Sequence, residues 1–164
     1  MEERGERPKL VRVDLDERIA EMVRNTDRST LAVWACDCAE RALPYFERKY
    51  PKDDRPRRAI EAGRAFARTG VFKMADVRDA ALAAHAAAAE VEGDSAARSA
   101  AHAAGHAMAT AHVPSHSIAA AAYAATAVRD GVGAAESEAA VSRECEWQYR
   151  HLLELHQGAL GALG

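Results

Sequence analysis

Valine, isoleucine and threonine are scarce in this 164-residue chain, and without such β-branched residues a sheet has little to be built from. A basic stripe is also missing. The formal net charge is -3 and lysine and arginine are interleaved with aspartate and glutamate, so no surface promises the counterion release that nucleic-acid binding depends on. The longest apolar run, Ile118 to Val128, falls short of the roughly 20 residues that cross a bilayer. The opening stretch Met1 to Lys9 has no apolar core of a signal peptide, and together these features point to a cytoplasmic protein whose partner is neither nucleic acid nor membrane. Three cysteines, Cys36, Cys38 and Cys145, are an odd count without framework spacing, which fits a reducing compartment. Cys36 and Cys38 stand two apart, on nearly opposite sides of a helix, so they cannot chelate one ion and read as small core residues. There is no glycine-rich phosphate loop, no nucleophile-elbow serine and no nicotinamide, flavin or pyridoxal signature, so no cofactor is expected.

What the chain has instead is alanine, about a quarter of all residues, the strongest helix former and a side chain small enough to let helices pack closely. The expectation is an all-α protein, a single-domain bundle of six or seven helices with short loops spanning residues 11–157. Residues 1–10, charged and holding Gly5 and Pro8, read as a flexible segment, and residues 158–164 as a fraying tail. Asp14 with Glu17 reads as a capping box for a first helix. Ser29 or Thr30 reads as the cap of a second over 31–43, interrupted by Pro44 before Tyr45 to Tyr50 add another turn or two. A third helix runs to Thr69 with Gly70 as its stop, a fourth covers 74–91, and a fifth starts at Asp94 or Ser95 and reaches about His112. Pro114 can either kink one long helix or begin a new one; a break is favoured, giving a sixth helix over 114–129 and a seventh over 135–156.

Five of the seven histidines lie between His85 and His116 in this alanine background. Imidazole is the side chain there able to accept protons, bind a metal or grip a polar ligand near neutral pH. His102 and His106 are four apart and share a helix face beside Gly105; His112 and His116 repeat the spacing across Pro114, and His85 comes from the preceding helix. No His-Glu-x-x-His and no paired Glu-x-x-His accompanies them, so no metal site is assigned. A second constellation is Trp34, Asp37, Glu40 and Arg41, with Asp37 and Arg41 at ion-pair spacing; a third is the run from Asp53 to Arg58 with Arg55 and Arg57. Each has a structural reading: satisfied core imidazoles, an anchored tryptophan beside a surface ion pair, a helix cap with solvated charge. Each also has a functional one. His85, His102 and His106 would carry acid-base catalysis with Asp37 and Glu40 as carboxylate partners, while Trp34, Arg41, Arg55, Arg57, His112 and His116 would bind a ligand, the arginines by forked contacts to an anion.

With these clusters assembled, the chain resembles the immunity-protein family of bacterial polymorphic-toxin systems described as immunity-protein-five-like. The segments that carry the resemblance are Trp34-Ala-Cys-Asp-Cys-Ala-Glu-Arg41, Asp54-Arg-Pro-Arg-Arg-Ala-Ile-Glu-Ala62, Ala80-Ala-Leu-Ala-Ala-His85, Ala101-His-Ala-Ala-Gly-His-Ala-Met-Ala-Thr-Ala-His-Val113 and Arg143-Glu-Cys-Glu-Trp-Gln148, in that order along residues 30–150. The resemblance implies a small helical cytoplasmic protein that neutralises a cognate toxin by binding it. The chain departs from the family's pattern at Cys36 and Gly63, where alanine is expected, at Phe66, where tryptophan is usual, and at Pro114-Ser115, where small residues usually run. Two functions from different classes follow: a toxin-binding immunity protein, and a small enzyme of specialised metabolism acting on a small molecule through the histidines; a metal-binding helical protein is a third. Small alanine-rich faces can also support a homodimer.

Overall fold

A computed structural model describes residues 9–162. After a 3-10 turn at Val13–Leu15 come seven α-helices: α1 (Glu17–Arg24), α2 (Arg28–Glu47), α3 (Arg55–Thr69), α4 (Met74–Ala89), α5 (Ser95–Ala109), α6 (His116–Gly131) and α7 (Ala134–Ala162), with no strand among the described residues. The all-α bundle expected from the composition is what forms. Most of the flexible segment expected at the N-terminus, residues 1–8, lies outside the described residues.

Helix boundaries differ from expectation where a nearby aspartate outcompetes the expected cap. Asp16 caps α1, accepting from the Arg18 amide at 3.0 Å, while Asp14 sits in the preceding turn and pairs with Arg12. Asp27 caps α2 by accepting from the Thr30 amide at 3.0 Å and the Thr30 hydroxyl at 2.7 Å, so Thr30 is the donor to the cap and not the cap. Pro44 does not interrupt α2. It lies in the last turn with its ring exposed, where only one intrahelical bond is forfeited, and the helix continues to Glu47. Gly70 ends α3 in the left-handed conformation with φ 68°, as its position predicts. The chain does break around Pro114, although α6 begins two residues beyond it at His116, and α7 continues past His156 to Ala162.

Helix α5 runs through the middle, packed against α2, α3, α4 and α6. Ten of its fifteen residues are buried, and they are alanine, serine, glycine and a single methionine, since larger side chains on every face would hold the neighbours apart. The bulky core lies around α2, where Trp34, Leu31, Leu43 and Phe46 are enclosed together with Ile19, Ile60 and Leu152. Trp34 is fully buried and its indole N–H donates to the Gln148 carbonyl at 2.9 Å, tying α2 to α7; the Gln148 amide in turn donates to the Ala121 carbonyl of α6 at 3.0 Å.

Cys36 and Cys38 are both enclosed, as expected of core residues, and burial pushes the Cys36 thiol up to about 12, far from reactivity. Cys36 also accounts for a departure in α3. A Cβ on Gly63 would come within 2.7 Å of Cys36 Sγ, so the sulfur fills the space that an alanine methyl at 63 would take. Cys36 and Gly63, both read from the sequence as standing where alanine is expected, are one exchange of volume across the α2/α3 contact. Gly63→Ala alone is therefore expected to destabilise the protein by about 1–3 kcal/mol through overpacking, and Cys36→Ala/Gly63→Ala to recover most of that loss, as read by urea denaturation.

Candidate functional site

The non-buried residues within the body of α5, Arg98, His102 and His106, are spaced by four and form one stripe along it. At this stripe α4 contributes His85 and α6 contributes His116 and Tyr123. His85 and His102 share a hydrogen bond between their Nδ1 atoms at 2.7 Å, one ring donating and the other accepting, and His106 and His116 do the same at 2.9 Å. The pairs touch each other, with the His85 and His106 ring centroids 4.8 Å apart, edge to face. Tyr123 lays its ring against both His102 (5.1 Å) and His106 (5.2 Å). Gly105 makes the cluster possible, because a Cβ there would fall 2.7 Å from His85 Nε2.

Four imidazoles gathered among alanines are disfavoured as cations by lost hydration and by one another. Burial and the neighbouring rings hold His106 down at about 3; burial, His85 and Arg98 hold His102 at about 4. His85 and His116 are lowered in the same direction, chiefly by burial. At neutral pH the cluster is a set of uncharged donors and acceptors. With the Nδ1 atoms spent on ring-to-ring bonds, no group of three or more His, Cys, Asp or Glu side chains among the described residues is arranged to hold a metal ion.

The other expected site residues lie elsewhere. His112 is exposed at the turn after α5 and makes no hydrogen bond to the cluster. Asp37 and Glu40, expected as carboxylate partners of the histidines, are on the α2/α3/α7 face. Arg64 donates to Asp37 at 2.8 Å and to Glu40 at 2.6 Å, and His151 Nε2 stands 2.7 Å from the second Asp37 oxygen. No hydrogen bond joins this group to the clustered histidines. Arg41 pairs with Glu144 of α7 through two bonds, 2.8 and 2.9 Å, instead of with Asp37, because the nearly buried Glu144 carboxylate offers the geometry for a fork. Trp34, expected to bind a ligand, is sealed in the core. Arg55 is held by Asp53 and Glu90, and Arg57 by Glu47, so both guanidiniums already have carboxylate partners.

Residues not named as candidate site residues complete both places, although Trp147 lies in the 143–148 segment that carries the resemblance. Trp147 of α7 is half-buried between the Arg41 guanidinium, 4.0 Å above its ring, and the His151 ring stacked at 4.8 Å. Beside the histidines a cleft of about 560 Å³ opens between α5 and α6, lined by His102, Tyr123, Arg98, Ser95, Ser99 and Asp130 among others. Arg98, one turn before His102, and Tyr123, the one aromatic in the α6 alanine run, were the available sequence signals.

Folded-state imidazoles held below the ordinary value of 6.5 take up protons later than the unfolded chain does. Stability is therefore expected to hold above about pH 6.5 and to fall as the pH is lowered from there toward 4, before ion-paired carboxylates such as Glu47 and Asp53 begin to protonate. Denaturant midpoints between about pH 7.5 and pH 5 should show this decline, and His106→Gln should flatten it.

The family model described as "Imm-5 like putative immunity protein" matches residues 21–155, which takes in α2 to α6 whole, the second half of α1 and most of α7, and with them both clusters. No curated protein and no solved structure matches the chain. No helix among the described residues is long and apolar enough to cross a membrane. With that match across most of its length, the chain belongs to the Imm-5-like immunity protein family.

Proposed function

We propose that the protein is a cytoplasmic immunity protein that binds and neutralises a cognate bacterial toxin. The family match over residues 21–155 carries this reading. The geometry supports a particular face for the contact. Segments 34–41 and 143–148, far apart in sequence, are brought together by the Arg41–Glu144 pair and the Trp34–Gln148 bond. They present Trp147, already held between Arg41 and His151, at a shallow groove with Asp37 and Glu40. A preordered tryptophan and arginine at the centre of a patch are the side chains that dominate protein interfaces, because little conformational freedom remains to be lost on docking. Calorimetry with the toxin encoded beside this gene should show tight association. Trp147→Ala should weaken it by about tenfold or more with helical circular dichroism unchanged. Absence of binding by the correctly identified toxin removes the reading.

A second reading rests on the histidines: acid-base catalysis on a small molecule by His85, His102 and His106. One observation favours it, namely that His102, bonded through Nδ1 to His85 behind it, lines a cleft of small-molecule size, where its ring can exchange a proton with a ligand on one side and with its partner imidazole on the other. Asp37 and Glu40 take no part in it, being engaged by Arg64. If the gene lies in a biosynthetic cluster, the product of the preceding enzyme should be converted by the wild-type protein. His102→Gln and His106→Gln should abolish turnover without loss of the fold; conversion unaffected by both excludes the histidines.

A further inference from the structure

The cleft beside His102 contains more hydrogen-bonding capacity than the protein uses. Among the described residues, the half-buried Arg98 guanidinium has one hydrogen bond, to the Val91 carbonyl at 3.1 Å, and no carboxylate partner. Most of its donors are left for something else. Other arginines of comparable exposure, Arg55, Arg64 and Arg129, are all paired to aspartate or glutamate. Ser95 and Ser99 stand on the same α5 face as Arg98, and neither their hydroxyls nor that of Tyr123 bonds to another described residue. His102 is fixed by its Nδ1 bond to His85, which leaves Nε2 without a partner in the protein. Leu10 and Ala89 supply an apolar wall.

Charge narrows the occupant. Asp130, the acidic residue at the cleft, is neutralised by Arg129 at 2.9 Å, and the histidines are uncharged near neutral pH, so Arg98 is the one uncompensated charge in the lining. One guanidinium suits one negative charge and offers the fork that a carboxylate accepts. The volume is that of a small-molecule site and the ring of Tyr123 is a flat surface for a ligand's body. We propose that this cleft binds a small organic monocarboxylate, its anion held by Arg98, its body against Tyr123, and a polar group within reach of His102 Nε2.

The proposal deepens the second reading by naming a substrate class and rests on that reading's cleft, but it is read by binding alone. A cleft that holds a carboxylate without any turnover would end the catalytic reading and leave this one standing. The test uses sodium benzoate as probe, benzamide as its uncharged counterpart and inorganic phosphate as the competing anion, followed by NMR of the histidine side chains in the full-length protein. Benzoate should produce saturable shifts at His102, and these should be weakened about tenfold or more by Arg98→Gln, yet unchanged by Arg78→Gln on the exposed side of α4. Bound anion should also raise the pKa of His102 from its low value. Equal shifts with benzamide, stronger binding of phosphate, or no saturable shift with wild-type protein would each overturn the proposal, and these outcomes do not depend on how well the Arg98 variant folds.

Discussion

Helix α5 has neighbours on four sides, and the rest of the molecule is arranged around that enclosure. A helix packed by α2, α3, α4 and α6 can carry little beyond alanine, glycine and serine, because each added carbon on an inward face would push an axis outward. The alanine content is thus a packing requirement as well as a helix preference. One line of larger side chains remains along α5, through Arg98, His102 and His106, and its first two members line the cleft.

The two polar clusters solve opposite electrostatic problems. Between α4, α5 and α6 the imidazoles are partly buried among alanines, and they persist there by remaining neutral and bonding to one another in pairs. On the α2/α3/α7 face, partly open to solvent, full charges are tolerated, and Asp37, Glu40, Arg41, Arg64 and Glu144 form ion pairs with Trp147 and His151 packed among them. A neutral hydrogen-bonding surface suits a buried small ligand, whereas a charged aromatic surface suits a protein partner. The same small chain presents both.

Several close approaches are reciprocal exchanges of volume. Cys36 fills what Gly63 leaves empty, the His85 ring lies over Gly105, and the Tyr45 ring lies against Gly131 at the end of α6. In each case a glycine on one helix makes room for a specific larger group on another. In a core built of the smallest side chains, a missing methyl is a large fraction of the available space.

The fold class, the number of helices and most of their limits were legible in the sequence because they depend on local propensity and punctuation: alanine throughout, Gly70 after α3, a break at Pro114. The His102/His106 face was legible too, since spacing by four fixes a shared direction on any helix. Cap choice was not, as Asp16 and Asp27 compete with Asp14, Ser29 and Thr30 over distances of two or three residues. Nor was the separation of Asp37 and Glu40 from the histidines, or the preference of Arg41 for Glu144 over Asp37, since both depend on which helix lies across from α2. The sequence by itself determined which segments are helical and which of their faces carry polar and titratable side chains. Only the tertiary structure decided which faces meet, because alanine surfaces pack against each other with little side-chain individuality, and partner choice rests on a few large residues, Trp34, Gln148 and Arg41, whose contacts lie more than one hundred positions away in the chain.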